Sequence, residues 1–314
     1  MNHEAYWLDA SDHSRLFVNA WAPDGQARAV VMLSHGMAEH SGRYERLAEA
    51  LTQAGFALYA HDQRGHGRTA SEGLLGHYGD RDGWSNVVGD LATLNASIAQ
   101  KHPEVPVFLL GHSMGSYVAQ AYLMHHSASL QGAILSGSNF QPVSLYRSAR
   151  LVARFERWRQ GATGRSALIE FLSFGSFNKR FKPVRTPFDW LSRDPQEVDR
   201  YISDPLCGFR CTNQFWLDML GGLQQISKRS NLAQIDKSLP ILIMGGECDP
   251  VSDGKRLKDL ADALTGTDHH AVALKIYPQA RHEILNETNR QAVTHDLLAW
   301  LEQALEQPRP RRSE

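Results

Sequence analysis

The sequence predicts an α/β protein with a mostly parallel central sheet, flanking helices and one helical insertion. Two observations lead to this class. Short apolar runs alternate with longer amphipathic stretches along most of the 314 residues, as expected for parallel strands joined by crossover helices. The alternation stops between residues 139 and 230, where Phe, Trp, Arg and Pro accumulate. This break indicates an insertion.

Runs rich in β-branched and apolar residues predict the strands of the sheet. They are Leu16 to Ala22, Ala29 to Ser34, Phe56 to His61, Val105 to Leu110, Gly132 to Ser136, Pro240 to Met244 and Ala271 to Tyr277. Helical spacing of apolar residues predicts the connecting helices. They are Arg43 to Ala54, Gly83 to Lys101, Met114 to His126, Gly254 to Leu264 and Thr288 to Glu306.

The predicted domains follow from these elements. Residues 1–138 and 231–306 form the α/β core, and residues 139–230 form a cap over the carboxyl edge of the sheet, where open α/β sheets bind ligands. The basic tail, residues 307–314, is predicted to be disordered.

Composition narrows the class of partner and the compartment. The net charge of -1 argues against a nucleic-acid partner. The start of the chain, Met1 to Trp7, lacks a basic segment followed by an apolar run, and no stretch is apolar for the roughly 18 residues that span a bilayer. We expect a cytoplasmic protein, and we predict no particular oligomeric state.

Metal and cofactor sites are not expected. Cys207, Cys211 and Cys248 are too few for a disulfide framework. Cys207 and Cys211 could share a helix face, but without a nearby His they favour packing over metal binding. His282-Glu283 is not followed by a second His at the spacing of a zinc protease.

Ser113 is the predicted nucleophile. The segment from Val107 to Gln120 reads as an apolar strand, a sharp turn and a helix start, the pattern of a nucleophile elbow. Such a turn strains the backbone of the serine and leaves no room for side chains two residues away, where Gly111 and Gly115 lie.

A serine nucleophile needs a base, and the base needs an orienting acid. His282 is the predicted base because it follows a strand and precedes the last helix. His295 falls within a predicted helix, and His269 and His270 precede a strand at the other edge of the sheet.

Asp249 is the predicted acid, since it follows the strand that ends at Met244 and Pro250 fixes the turn after it. Glu247 and Asp253 are the competing carboxylates.

The oxyanion formed during acyl transfer needs two backbone donors. The N–H of Met114 begins the predicted helix after Ser113. Met37 supplies the second N–H, because Gly36 lets the loop after an early strand turn inward.

The chain order Ser113, Asp249, His282 is that of α/β-hydrolases. Five motifs strengthen the match: HGMAEHSGRY (35–44), DQRGHGRT (62–69), GHSMG (111–115), SDPL (203–206) and RHEILNE (281–287). Together they resemble the monoacylglycerol lipase and lysophospholipase family, S33-like serine hydrolases of this fold.

The resemblance implies hydrolysis of a single acyl ester by the same triad and oxyanion donors. It also implies that Glu39, Arg43 and His112 lie near the polar head of the substrate. Alternatively, Glu39 and Arg43 form a structural ion pair that orders the oxyanion loop, which carries Gly36 and Met37. We interpret Asp62 to Arg68 as structural, with Asp62 and Arg64 bracing neighbouring loops.

The cap supplies the candidate acyl pocket. Its apolar residues, Phe140 and Leu145 among them, are expected to roof the nucleophile and to enclose an acyl chain. Burial stabilises each methylene by about 0.8 kcal/mol, which favours medium and long chains.

One stretch of the cap predicts a basic amphipathic helix. Arg147, Arg150, Arg154 and Arg157 recur at helical spacing, and Leu151, Phe155 and Trp158 follow another face. The arginines form either a solvated face over packed apolar residues or, together with the apolar face, a surface that docks on anionic lipid at the inner membrane surface.

Three other functions remain open. An aminopeptidase of this fold would use the same machinery with an acidic or carbonyl-rich site to hold a free amine, and Glu39 and Glu247 are its candidate acidic groups. A short-chain esterase would differ only in its pocket. A ligand-binding homologue would keep the fold without turnover.

Overall fold

The sheet lies at the centre of the fold. The computed structural model describes residues 1–307 and 309 and contains one sheet of eight strands in the order β1-β2-β4-β3-β5-β6-β7-β8. The strands are β1 (Asn2–Asp9), β2 (Arg15–Ala22), β3 (Ala29–Ser34), β4 (Phe56–His61), β5 (Val107–His112), β6 (Gly132–Ser136), β7 (Ile241–Gly246) and β8 (Val272–Tyr277).

Parallel pairing dominates the sheet. Strand β2 pairs antiparallel with β1 and β4, and every other pair is parallel. His112 lies opposite Ser136, and Ser136 lies opposite Met244. The carboxyl ends of these strands therefore meet at one edge, which confirms the predicted α/β-hydrolase fold.

Helices cover both faces of the sheet. They are α1 (Glu45–Gln53), α2 (Gly83–Lys101), α3 (Met114–His126), α4 (Val143–Gln160), α5 (Ala167–Phe174), α6 (Pro195–Ser203), α7 (Asn213–Ile226), α8 (Arg229–Leu232), α9 (Lys255–Thr265) and α10 (Arg290–Leu305). Helices α2, α3 and α9 bury apolar side chains on one face, and α1 and α10 do so on the other.

The predicted strands occur within two residues of their expected bounds, but β1 was not predicted. Its residues are mostly exposed, so the strand has no apolar run to reveal it. Pairing with β2 along its full length, from Asn2 opposite Ala22 to Asp9 opposite Arg15, holds it in the sheet.

Helices α4 to α7 lie between β6 and β7, in the predicted cap segment. Helix α7 joins the cap to the core, because Phe215 and Leu220 belong to the same buried cluster as Val118 of α3. Among the described helices, none combines the length and apolar composition needed to cross a bilayer. The predicted disordered tail, 307–314, lies outside the described residues except for Gln307 and Arg309.

Candidate active site

Ser113 occupies the turn between β5 and α3 with φ 51° and ψ −120°, a strained conformation for a residue with a side chain. A Cβ at Gly111 would meet the Gly115 carbonyl, and a Cβ at Gly115 would meet the Ser34 carbonyl. The Ser113 N–H donates to the Ser136 carbonyl at 2.8 Å. The two glycines are therefore required for the turn that holds Ser113.

The structure brings Ser113, His282 and Asp249 into one hydrogen-bonded chain. His282 Nε2 lies 2.8 Å from Ser113 Oγ, and His282 Nδ1 lies 3.0 Å from Asp249 Oδ1. Asp249 is buried and also accepts hydrogen bonds from the Val251 N–H and the Ser252 hydroxyl. This geometry orients the imidazole so that Nε2 can accept the serine proton.

The surroundings of His282 favour its charged form. Burial alone would lower the pKa of His282, but the Asp249 carboxylate, with smaller contributions from Glu283 and Glu39, raises it above the ordinary histidine value. A base whose protonated form is stabilised can hold the proton taken from Ser113 until the leaving group needs it.

The competing carboxylates lie elsewhere. Glu247 is exposed and accepts the Gln279 N–H. Asp253 forms an ion pair with Arg180. Both are engaged in loop contacts, and Asp249 is the carboxylate that contacts His282 Nδ1.

The two residues predicted to supply oxyanion donors lie at the same cavity as Ser113. Met37 and Met114 line one cavity with it, and within residues 1–307 and 309 neither N–H has a hydrogen-bond acceptor. The Tyr78 hydroxyl donates to Met114 Sδ at 3.0 Å and holds that side chain. Two unengaged backbone donors beside a nucleophile can stabilise a tetrahedral oxyanion.

Glu39 and Arg43 engage each other. Arg43 Nη1 lies 2.6 Å from Glu39 Oε2, and both Arg43 amino groups donate to Glu283 at 2.7 Å. Glu39 Oε1 accepts the Gly36 N–H at 2.5 Å and the Tyr44 hydroxyl at 2.9 Å. The structure therefore supports the ion-pair alternative for Glu39 and Arg43, although Glu39 also lines the cavity.

His112 lies between the base and the acidic network. Its ring centroid is 5.0 Å from that of His282, and its Nδ1 is 3.3 Å from Ser136 Oγ. Burial, together with His282, lowers the pKa of His112 to about 4. His112 is therefore neutral at neutral pH and lines the cavity as a polar, uncharged group.

A cavity of about 780 Å³ opens above Ser113. Its walls come from the carboxyl edge of the sheet and from the cap, including Leu145, Phe171, Phe174, Trp190 and Leu223. Phe140 does not occur among the described lining residues; it packs partly buried against the core. The prediction of Phe140 as a pocket residue is therefore not supported, because its side chain is used for packing.

The loop from Asp62 to Arg68 braces its neighbours, as predicted. Arg64 pairs with Asp90 at 2.7 Å and with Asp12 at 2.6 Å. Asp62 accepts hydrogen bonds from the N–H and the hydroxyl of Ser41.

Cys207 and Cys211 lie outside the helices, so they share no helix face. His40, Asp204 and Cys207 do bring three potential metal ligands within 4.8 Å. However, His40 Nε2 already pairs with Asp204 at 2.8 Å, and burial raises the pKa of the Cys207 thiol. The hydrogen bond between His40 and Asp204 thus links the loop that carries Met37 to the cap.

Sequence reasoning gave no role to Glu283 or Trp190, which both contact the site. Glu283 binds Arg43, a residue 240 positions earlier in the chain. Trp190, from the cap, lies with its ring centroid 5.1 Å from that of His282. The motif around His282 included Glu283, but no sequence signal gave its partner.

Known proteins resemble this chain over most of its length. A family model described as "Serine aminopeptidase, S33" matches residues 25–289. A monoacylglycerol lipase of Mycolicibacterium smegmatis is 32% identical over 290 residues, which cover 91% of this chain and 92% of that protein. The monoglyceride lipase of Homo sapiens is 29% identical over 298 residues, which cover 93% and 88%.

A solved structure shows the same similarity in three dimensions. The thermostable carboxyl esterase of Bacillus coagulans in complex with glycerol superposes with a TM-score of 0.90 at 27% identity. The alignment covers 97% of this chain and 99% of that one.

Proposed function

Since this chain belongs to the serine aminopeptidase S33 family of α/β-hydrolases and is a carboxylic ester hydrolase, we propose that it cleaves the acyl ester of monoacylated lipids. The substrate is a monoacylglycerol or a lysophospholipid. The observation that carries the proposal is that Ser113 faces a large, mainly apolar cavity covered by the cap.

Acylation begins at Ser113. His282 Nε2, 2.8 Å from Ser113 Oγ, accepts the serine proton as Oγ attacks the ester carbonyl carbon. The carbonyl oxygen becomes an oxyanion, and the N–H groups of Met37 and Met114 donate to it. Asp249 keeps the imidazole oriented and stabilises its charge.

Collapse of the tetrahedral intermediate breaks the ester bond. His282 gives its proton to the leaving alcohol, and the acyl group stays on Ser113. A water molecule then attacks the acyl-enzyme with His282 again as base, which releases the fatty acid and restores the serine.

The leaving alcohol lies on the polar side of the site. The polar residues Glu39 and His112 line the cavity together with Ser113. The acyl chain lies on the apolar side, against cap residues such as Leu145, Phe174 and Leu223. A monoacylated lipid has one polar and one apolar end, and this division of the cavity matches it.

An aminopeptidase reaction is less well supported. Such an enzyme needs an acidic or carbonyl-rich site for the substrate amine, but of the two carboxylates predicted for this role Glu39 has both oxygens engaged by Arg43, Gly36 and Tyr44. Glu247 is not among the described lining residues of the cavity.

Covalent labelling tests the nucleophile. We expect a fluorophosphonate probe to label the wild-type protein and the Ser113→Ala variant to remain unlabelled. Ser148→Ala, which removes an exposed hydroxyl on α4, is the matched control and should label normally. Equal labelling of Ser113→Ala and the wild type would contradict the assignment, and a wild-type protein that is not labelled would favour a homologue without turnover.

The cap surface suggests how substrate arrives. Leu151, Phe155 and Trp158 on α4 are 65%, 53% and 80% exposed, so they do not pack under the cationic face. Arg147, Arg150, Arg154 and Arg157 lie along the same helix and are also exposed. Exposed apolar rings beside arginines fit a bilayer surface with anionic lipid.

Three cap residues that line the cavity are exposed as well. Leu145, Phe171 and Leu172 line it and are also exposed, at 50%, 67% and 59%. We propose that the cap docks peripherally on anionic membranes and takes substrate through this apolar rim.

Vesicle co-sedimentation tests the docking proposal. We expect binding to vesicles with anionic lipid that weakens with salt, and weaker binding for Phe155→Ser/Trp158→Ser. Leu274→Ser, which replaces an exposed apolar residue on β8, is the control. Salt-insensitive binding that is equal for neutral and anionic vesicles would contradict the proposal.

A further inference from the structure

Glu283 connects the loop of the base to the oxyanion loop. It directly follows His282, and its two oxygens accept hydrogen bonds from both amino groups of Arg43 at 2.7 Å. Asn286 donates a further hydrogen bond to Glu283 Oε2 at 2.9 Å. The Glu283 N–H donates to the Leu191 carbonyl of the cap at 2.8 Å. Glu283 is thus fixed at both its backbone and its side chain.

Arg43 continues the connection to the oxyanion donor. Its Nη1 also donates to Glu39, and Glu39 accepts the N–H of Gly36, the residue before Met37. The Arg43 guanidinium lies 4.9 Å from the ring centroid of Tyr201, and the Tyr201 hydroxyl donates to the Ala38 carbonyl at 2.9 Å. The loop that carries Met37 is therefore held on both sides of that residue.

The network is buried, so its members depend on one another. The side chains of Arg43, Glu39 and Glu283 are 11%, 3% and 6% exposed. Removing one partner of a buried ion pair leaves the other charge without compensation. Loss of the Glu283 charge would therefore alter how Arg43 and Glu39 hold the Gly36 N–H.

We propose that Glu283 is a positioning residue: acting through Arg43 and Glu39, it holds the Met37 N–H in its donating position relative to His282. The inference rests on the proposed function of Ser113, His282 and Met37. Glu283 takes no part in bond making; it couples the position of the base to that of the oxyanion donor.

The charges around His282 add a second, measurable consequence. The Asp249 carboxylate contacts the imidazole, and its charge, with those of Glu283 and Glu39, raises the pKa of His282 against the effect of burial. The other titratable groups of the network are Arg43, the neutral His112 and the hydroxyls of Tyr44 and Tyr201, whose pKa values burial raises. Removing the Glu283 charge should lower the pKa of His282, whereas a purely structural defect would leave it in place.

The test is the Glu283→Gln enzyme, assayed on 4-nitrophenyl butyrate across pH. Loss of a whole oxyanion donor costs about 10² to 10³ in kcat, and a displaced donor should cost less. We expect kcat to fall by about tenfold with KM nearly unchanged, and the acid limb of kcat/KM to move to lower pH.

Two variants separate charge from geometry. Glu283→Asp keeps the charge but shortens the side chain, so we expect the kcat defect to persist while the acid limb returns toward its wild-type position. Glu197→Gln is the matched control, because Glu197 is a buried carboxylate between Arg46 and Arg200. It should change thermal stability and leave both readouts unchanged.

These measurements test the role of Glu283 independently of which ester the enzyme prefers. A Glu283→Gln enzyme with wild-type kcat and acid limb, or with changes shared by Glu197→Gln, would overturn it. If Glu283→Gln does not fold, the kcat of Glu283→Asp provides the test. A lowered kcat supports the positioning role, and a wild-type kcat contradicts it. The ester assay reads Glu283 even if monoacylglycerol proves not to be a substrate, and fluorophosphonate labelling of Ser113 tests the proposed function independently.

Discussion

The indole ring of Trp190 lies against the imidazole of His282, with ring centroids 5.1 Å apart. Trp190 comes from the cap segment, and its carbonyl accepts the His282 N–H at 3.4 Å. Phe174 and Phe177, also from the cap, pack on the other parts of the indole. The cap therefore packs against His282, the proposed base, as well as covering the cavity.

Trp190→Ala should impair catalysis more than it impairs folding. Without the indole, the His282 ring loses its packing partner and can turn away from Ser113, and small misplacements of a catalytic group cost up to about 10² in rate. We expect kcat for a soluble 4-nitrophenyl ester to fall by about tenfold or more. Trp7→Ala, at a partly exposed position on β1, should keep its activity. Wild-type turnover in Trp190→Ala would show that the cap does not orient the base.

The acid limb of the activity profile should have an apparent pKa above the ordinary value of histidine. The raised pKa of His282 means that the imidazole stays protonated at pH values where a free histidine, with pKa about 6.5, is already half neutral. A protonated imidazole cannot accept the Ser113 proton, so kcat/KM falls as pH drops through that pKa. The measurement is the pH profile of kcat/KM.

Asp249→Asn provides the check on this profile. Removing the carboxylate removes the largest favourable contribution to the raised pKa, so the remaining activity should have its acid limb at lower pH. The exchange also disturbs the tautomer of His282. The equivalent exchange in a serine protease lowers kcat by about 10⁴. An acid limb that does not move would argue that another group controls the profile.

Gly36→Ala should damage the oxyanion hole. A Cβ at Gly36 would lie 2.7 Å from Glu39 Oε1 and 3.4 Å from Ser113 Cβ, so either the Glu39 carboxylate that accepts the Gly36 N–H or the loop that carries Met37 must shift. Displacing one oxyanion donor should lower kcat by up to about 10². Gly89→Ala has open space for its Cβ and should behave as wild type. Equal kcat values for the two variants would contradict this role of the loop.

Chain length should control turnover until the cavity is full. Burying each methylene contributes about 0.8 kcal/mol, or about fourfold in kcat/KM. Ala149 of α4 lines the cavity, so Ala149→Phe should shorten the preferred acyl chain and leave short esters unaffected. A series of monoacylglycerols from acetyl to palmitoyl measures both effects. A preference for the shortest esters in the wild type would favour the short-chain esterase alternative.

Local sequence patterns predicted the parts of the site that depend on local geometry. The turn at Ser113 requires glycines two residues away on either side, and this requirement is visible in the sequence itself. The strand before each catalytic loop is an apolar run, so His282 and Asp249 could be assigned to the carboxyl edge of the sheet.

Long-range contacts could not be predicted in the same way. Arg43 meets Glu283 across 240 positions, and nothing in the neighbourhood of either residue specifies its partner. The pocket in the cap shows the same limit. Its apolar residues indicated a pocket, but the sequence does not distinguish Leu145, which lines the cavity, from Phe140, which packs on the core.

A comparison of kcat/KM on four substrate types tests whether the enzyme is a monoacyl lipid esterase: medium-chain monoacylglycerol, lysophospholipid, short 4-nitrophenyl esters and aminoacyl amides. Each is measured with the wild type and with Ser113→Ala. We expect one of the two monoacylated lipids to be the best substrate and all turnover to disappear in Ser113→Ala. Faster cleavage of aminoacyl amides than of either lipid would contradict the assigned substrate class. Lipid hydrolysis that survives in Ser113→Ala would contradict the assigned nucleophile.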